Sequence, residues 1–238
     1  MKSIRIAIIG AGSSYTPELL DMMGQMRETL HVSELRLHDI DAGRLSVMEG
    51  FTRRFLNHIG LDIQVSATLN RLEAIDGVDF VVTQIRVGGN PARVNDEKIP
   101  LRYGLLGQET TGAGGFAKAL RTIPVMLDIA RDVERINPKA WIINYTNPTG
   151  IVAEAVTRYT KARFIALCGG GRHPANMLFK TYGIAHERVR YDYFGLNHFN
   201  FSYNITVDGE PITDDQWRGI SQTCGVNPEL TVRMKLLR

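Results

Sequence analysis

The sequence predicts an α/β fold: a Rossmann-like doubly wound parallel sheet, followed by the beginning of a second, α+β domain. Three observations carry this. Short apolar runs alternate with segments of helical spacing, the first run opens into a glycine turn and a helix, and after Val189 the pattern changes to period-two strands. Ile4–Ile9 is the first strand, and Pro17–Leu30 the first helix, with Leu19, Leu20, Met23 and Met26 on one face and either Thr16 as its N-cap or a start nearer Ser13. Glu34–Asp39 reads as the second strand, and Leu45–Ile59 as the second helix, with Met48, Phe51, Phe55 and Ile59 along one side. Ile63–Ala67 and Val78–Ile85 read as further strands. From Arg86 to about Gly115 the chain is glycine-rich and aperiodic, the pattern of a long functional loop.

Helix Ala117–Ile136, strand Trp141–Tyr145, helix Ile151–Thr160 and strand Phe164–Leu167 continue the alternation. Tyr191–Leu196 and Phe199–Val207 then read as antiparallel strands, with Val207-Asp208-Gly209-Glu210 as a hairpin turn. The expected division is a cofactor-binding domain over residues 1–190 and the incomplete start of a second domain over 191–238. Pro228–Arg238 opens like a helix, with Leu230, Met234 and Leu237 on one face, and stops without a C-cap, so the chain reads as cut off.

Composition narrows the function classes. The 238 residues are 44% hydrophobic and 22% charged, ordinary values for a chain that buries a core. A net charge of +3 with scattered basic residues argues against nucleic acid or an anionic membrane as partner. No apolar stretch approaches the length of a membrane span, and Met1-Lys2-Ser3 leads directly into a strand rather than a signal segment. Cys168 and Cys224 are too few for a disulfide framework, so a cytoplasmic protein is expected, with Cys224 structural.

The chemistry begins at Gly10-Ala11-Gly12-Ser13-Ser14-Tyr15. Two glycines let the backbone turn tightly beside a pyrophosphate, and a helix N-terminus favours its charge. Tyr15 replaces the third glycine of the dinucleotide fingerprint, which leaves the motif weak by itself. Its place between strand and helix strengthens it, as does Asp39 at the end of the second strand, where an acid would bind a ribose hydroxyl. A plain glycine turn with a surface aspartate is the bland alternative. Asp39 also favours NAD over NADP, because it would repel a 2′-phosphate.

Five stretches together are more specific: GAGSSYTPEL (10–19), which extends this turn, NDEKIPLRYGLL (95–106), GQETTGAGGF (107–116), NYTNPTG (144–150) and GLNH (195–198). In order and spacing they resemble successive motifs of glycoside hydrolase family 4, and GLLGQETTGAGGF most resembles its 6-phospho-β-glucosidase branch. The resemblance spans essentially the whole chain. It implies an enzyme that cleaves a phosphorylated disaccharide or 6-phospho-glucoside with NAD and a divalent metal, usually Mn²⁺, and a homo-oligomer when full length. It implies cofactor contacts at Gly10, Gly12, Ser13, Ser14, Tyr15 and Asp39, and metal ligation by Cys168 and His198. It further implies substrate contacts at Arg93 and Asn147, and a role for Glu109 in tuning a catalytic tyrosine. For each of these a structural role is the alternative: an inert cysteine, a surface arginine, a loop histidine. Asn144 is expected to satisfy the backbone of its own turn.

The chemistry so implied is redox elimination, with hydride leaving sugar C3 for NAD, a tyrosine taking the C2 proton, and water adding after the aglycone departs. Two departures stand out. Gly169-Gly170-Gly171-Arg172-His173-Pro174 follows Cys168 where a proton donor is expected, which leaves His173 as either a substitute or a plain loop residue. The family's tyrosine lies in its second domain, about where this sequence stops, so the 238 residues alone are not expected to hydrolyse 6-phospho-β-glucosides. Should the base lie inside them, Tyr103, Tyr145 and Tyr193 are the candidates. A lactate/malate-type dehydrogenase and an inactive NAD-binding remnant are the other readings.

Overall fold

Strand β1 (Ile4–Ile9) sends its two faces into two different cores. Ile6 and Ile8 pack with Leu20, Leu35 and Leu37, whereas Ala7 and Ile9 pack with Val81, Met126 and Ile142. A strand buried on both faces belongs inside a parallel sheet covered by helices above and below. The computed structural model, which describes residues 3–168, 173–196 and 199–223, has this arrangement. Its parallel strands are β1, β2 (Val32–His38), β3 (Gln64–Thr68), β4 (Phe80–Thr83), β5 (Trp141–Asn144) and β6 (Arg163–Ala166). They lie in the order β3-β2-β1-β4-β5-β6, the order of dinucleotide-binding folds. Helices α1 (Thr16–Gln25) and α2 (Ala42–His58) cover one face. On the other, α3 (Arg71–Ile75), α5 (Gly112–Ile136) and α6 (Thr149–Tyr159) close the second core, and α4 (Gly89–Leu101) packs on α5.

Register partners Thr68, His38, Ile9, Thr83, Asn144 and Ala166 form one row across the carboxyl ends of the strands. The turns that carry Gly10, Gly12, Asp39 and Asn147 leave from this row.

The described residues divide into two compact units, residues 1–167 and 168–238. The second holds α7 (His173–Tyr182), a 3-10 turn (His186–Arg188), the antiparallel strands β7 (Val189–Leu196), β8 (Phe199–Val207) and β9 (Glu210–Pro211), and α8 (Asp214–Thr223). Ala175, Leu178, Val189, Ile205, Ile212 and Ile220 form its core. Asp208 and Gly209 have φ of 52° and 89°, the two positive values that a type I′ hairpin turn needs. The unit begins earlier than the change of pattern near residue 190, because α7 packs with β7 and α8.

Several expectations need correction. Thr16 is not an N-cap: Tyr15 holds that position without a capping side chain, and the Thr16 hydroxyl donates to Ala11 O at 2.7 Å. The helix also ends at Gln25, short of Leu30. Short helix α3 has no periodicity to announce it; Asn70 caps it by accepting from Leu72 N at 3.1 Å. The supposed loop from Arg86 contains α4, thirteen residues whose buried positions are Asp96 and Pro100. A helix held by a buried carboxylate has no apolar stripe for periodicity to detect. The segment Pro228–Arg238, with Leu230, Met234 and Leu237, and Cys224 lie outside the described residues.

Backbone crowding fixes the segment between α4 and α5. A Cβ at Gly107 would collide with Glu97 O, and one at Gly114 would lie 2.6 Å from Asp96 O. Gly114→Ala is therefore expected to destabilise the protein by about 1–3 kcal/mol, since backbone must move to admit the methyl. Gly150→Ala in α6, where a Cβ meets nothing within 4 Å, is expected to be neutral or stabilising by up to about 1 kcal/mol. Urea unfolding of the two variants side by side measures the contrast, and equal midpoints would contradict it.

Candidate functional site

Gly10 follows β1 with a φ of 88°, and a Cβ there would lie 2.9 Å from Gln84 O. That conformation and that contact both require glycine. The Gly10 and Ala11 amides donate to His38 O, each at 2.9 Å, and the Gly12 amide donates to Asp39 Oδ2 at 2.8 Å. A Cβ at Gly12 would meet that same oxygen and Arg44 Cβ, both at 2.8 Å. Ser13 N donates to Gly10 O, and Ser13 Oγ accepts from Tyr15 N. The amide and hydroxyl of Ser14 stand outside this network, exposed at the entrance to α1. Asp39 Oδ1 accepts from Asp41 N at 3.0 Å, so each carboxylate oxygen keeps room for a further donor.

Two residues that the sequence reading missed hold this turn. Gln84 Nε2 donates to Thr16 Oγ1 at 2.7 Å and to Gly10 O at 3.3 Å, tying the turn to the end of β4. His38 is buried, and burial lowers its imidazole pKa, with Arg71 adding to the effect and Asp39 opposing it. It therefore stays neutral beside the Asp39 carboxylate.

The turn after β5 is equally determined. Thr83 Oγ1 donates to Asn144 Oδ1 at 2.8 Å, Asn144 Nδ2 donates to Thr146 O at 3.0 Å, and Thr146 Oγ1 accepts from Ile85 N at 3.0 Å. All three side chains are buried. Asn144 thus satisfies its own turn, as expected from the sequence. Asn147 is joined to Pro148 by a cis peptide bond, and its Oδ1 accepts from Thr149 Oγ1 at 2.7 Å, which leaves its amide N–H groups for another partner. The rings of Tyr15 and Tyr145 meet edge-on at 5.8 Å, joining the glycine turn to this one. Leu167 N donates to Asn144 O at 2.9 Å, and Cys168, next in the chain, is exposed. His198 and residues 169–172 lie outside the described residues, as does the side chain of His173. Among the described residues, no three His, Cys, Asp or Glu side chains converge as a metal-binding group.

Glu109 is the centre of a charge cluster. Its Oε1 accepts from Arg86 at 2.7 Å and from Lys118 Nζ, and its Oε2 lies 3.4 Å from Arg93 Nε. Arg93 Nε also donates to Glu97 Oε1 at 2.7 Å. The Lys118 side chain is 3% exposed and that of Glu109 14%, whereas Arg93 is 42% exposed. Burial opposes ionisation of Glu109, but hydrogen bonding to Lys118 and the charges of Lys118, Arg86 and Arg93 outweigh it and hold its pKa below the ordinary carboxylate value. Burial lowers the Lys118 pKa, with Arg86 and Arg93 adding to it against the pull of Glu109. Lys118 had no signal in the sequence, because a lysine on a helix is normally a solvated one. Nearby, Arg121 grips Asp96 with both terminal nitrogens and donates from Nε to Val87 O at 2.9 Å, locking α4 to α5.

Two surface hollows, of about 460 and 310 Å³, lie elsewhere, at the amino-terminal edge of the sheet around Arg53, Leu61 and Ile63. They are remote from the strand ends where ligands bind in such folds. No helix among the described residues is long and apolar enough to cross a membrane.

A family model described as Family 4 glycosyl hydrolase matches residues 5–183. The 6-phospho-beta-glucosidase of Escherichia coli (strain K12) is 44% identical over 216 residues, which are 88% of this chain and 47% of that protein. The probable 6-phospho-beta-glucosidase of Bacillus subtilis (strain 168) is 41% identical over 90% of this chain and 49% of its own length. The solved 6-phospho-beta glucosidase of Thermotoga maritima, a structure with manganese, NAD⁺ and glucose-6-phosphate, superposes with a TM-score of 0.84 at 35% identity. That superposition covers 92% of this chain and 54% of the solved one. The chain spans about half the length of the curated relatives it matches.

The Glu109 cluster gives stability a pH dependence of defined sign. A carboxyl whose folded pKa is lowered contributes stability above its unfolded value and loses it as pH falls through the folded one. Glu109→Gln leaves Lys118 buried without its counter-charge, and is expected to cost about 1–3 kcal/mol at neutral pH. The difference from the wild type should shrink as pH falls below the ordinary carboxylate range, where Glu109 itself protonates. Urea midpoints of both proteins from pH 7 downward measure this, and a gap that widens in acid would refute it.

Proposed function

The chain belongs to glycosyl hydrolase family 4, and from that premise we propose that it works in the hydrolysis of 6-phospho-β-glucosides with NAD and a divalent metal, Mn²⁺ in the first place. The observation that carries this reading is the Asp39 carboxylate, bonded to the Gly12 amide at the switch point of a six-stranded parallel sheet. Relatives named 6-phospho-β-glucosidases support the substrate class and the choice of the β anomer. Family membership favours a glycosidase over the dehydrogenase alternative.

The residues present fit a dinucleotide. The Gly12 position has no room for a Cβ beside Asp39, so backbone and carboxylate form one cradle. Ser14, with its amide outside the turn's own bonds, would meet the pyrophosphate together with Ser13, while Gly10 and Gly12 let the backbone come close. Tyr15 would close the turn from the side of Tyr145. Asp39 would accept from the adenosine ribose and exclude a 2′-phosphate by charge. Cofactor binding is thereby assigned to the unit of residues 1–167. NAD, when bound, supplies reversible hydride acceptance from the sugar.

For the metal, we assign Cys168, an exposed residue after the last parallel strand, and His198 as the protein ligands, with sugar oxygens as further donors. Such an ion supplies Lewis-acid polarisation of an oxygen. Arg93 would receive the 6-phosphate: its Nε is committed to Glu97 and Glu109, and its terminal N–H groups form a fork suited to phosphate oxygens. Asn147 would donate from its amide to a sugar hydroxyl. Glu109, kept ionised, would make a tyrosine placed against it a stronger base. A cytoplasmic homo-oligomer is the setting in which we place this activity.

Two measurements test the reading. NAD should bind this chain at least about tenfold more tightly than NADP, the scale of one like-charge conflict at a close site; equal affinities would remove Asp39 from the ribose site. Arg93→Ala should weaken glucose 6-phosphate binding in the presence of Mn²⁺ by about 10–100-fold, the worth of a charged hydrogen bond, and leave NAD binding unchanged. A wild-type chain that binds neither NAD nor glucose 6-phosphate would overturn the proposal.

A further inference from the structure

The Glu109 cluster contains a residue for which the reading above has no use. Lys118 lies on α5, and the first turn of that helix is pressed backbone to backbone against its surroundings: a Cβ at Gly115 would lie 2.5 Å from the Thr110 carbonyl carbon. The ammonium is therefore delivered from a rigid base, with its side chain only 3% exposed. A buried lysine is rare unless paired, and here the partner is Glu109. Such a pair adds little to stability compared with an apolar pair of the same volume. Its effect lies in what it imposes on its neighbours.

The neighbours are two guanidinium groups. Arg86 spends one terminal nitrogen on Glu109 Oε1, the oxygen Lys118 also holds, and Arg93 spends its Nε on Glu97 Oε1 and Glu109 Oε2. Three cations thus share two carboxylates, which leaves one positive charge in excess. The Lys118 side chain is almost wholly buried, so the excess falls on the more exposed arginines. Without Lys118, the buried Glu109 carboxylate would have only Arg86 and Arg93 to neutralise it, and attraction at low dielectric would draw both forks inward.

We propose that Lys118 is a positioning residue: by holding Glu109 from within the fold, it keeps the outer N–H edges of Arg86 and Arg93 presented as a paired anion-binding fork for a sugar phosphate. The inference rests on the sugar-phosphate reading above for its ligand, and on the cluster geometry alone for its mechanism. It predicts that Lys118 acts through Glu109 and not directly on the phosphate.

A double-mutant cycle separates these possibilities. Lys118→Met should reduce glucose 6-phosphate affinity about tenfold or more while NAD affinity stays unchanged, and Lys118→Arg, which keeps the charge, should recover part of the loss. In a Glu109→Gln background, Lys118→Met should have little further effect. An undiminished loss there would show a direct charge effect and overturn the assignment. The second readout needs no ligand: the Glu109 carboxyl carbon, labelled with ¹³C and identified by its disappearance in Glu109→Gln, is titrated by NMR. Its midpoint should lie below the ordinary carboxylate value in the wild type and rise in Lys118→Met. A wild-type midpoint at or above the ordinary value would overturn the proposal even if Lys118→Met failed to fold, as would a midpoint indifferent to Lys118. A wild type that binds no glucose 6-phosphate defeats the substrate reading, and the titration then decides the role of Lys118 by itself.

Discussion

Six parallel strands that stop on one row create the constraint from which the rest of the chemistry follows. At Thr68, His38, Ile9, Thr83, Asn144 and Ala166 the ladder ends, and the backbone groups beyond it need partners that the sheet no longer supplies. The protein finds them in adjacent turns. His38 O takes the Gly10 and Ala11 amides, Asp39 takes that of Gly12, Thr146 takes that of Ile85, and Asn144 O takes that of Leu167. Each turn is thus held by the turn beside it. A side chain on any of them is fixed by the geometry of the whole edge, the condition under which a binding constellation is preorganised.

The carboxylates show how structure and function share the same atoms. Asp39 holds the glycine turn through Oδ2 and the start of α2 through Asp41, yet both oxygens keep room for another donor. Asp96 differs. Buried and held by both terminal nitrogens of Arg121, it is a structural clamp that fixes α4 against α5. Glu109 lies between these cases. It is surrounded by three cations, two of which reach solvent. What separates Glu109 from the Asp96 clamp is the number of its cationic partners, three against one.

Most of the first unit was legible in the sequence because its elements obey the simplest patterns. The apolar strand IRIAII, the glycine turn and the helical spacing of α2 all name their own neighbours. What escaped did so for a physical reason. Helix α4 is buried through Asp96 and Pro100, so hydropathy sees a loop where hydrogen bonding makes a helix. Thr16 looks like a cap, but its hydroxyl serves Ala11 O and Gln84, a demand created by a strand 68 residues away. Gly12, Asp39 and Glu109 stand out as candidates through their motifs, whereas Gln84, which ties down the glycine turn, and Lys118, which holds Glu109, do not. A supporting side chain is defined by what it touches, and touching is a property of the fold.

That asymmetry bears on how the motif GQETTGAGGF works. Read as sequence, its glycines belong to an aperiodic stretch with the pattern of a long functional loop. In the structure, Gly107 and Gly114 exist because carbonyl oxygens of Glu97, Gln108 and Asp96 occupy the space a Cβ would need. The glycines therefore make the segment rigid. They remove the side chains that would keep α4, the intervening turn and α5 apart, and the close approach brings Glu109 within reach of Arg86, Arg93 and Lys118 at once. A carboxylate with three cationic partners cannot be assembled by a flexible loop without losing the ordering entropy at each binding event. Here that entropy is lost once, on folding, and the arginines are already arranged.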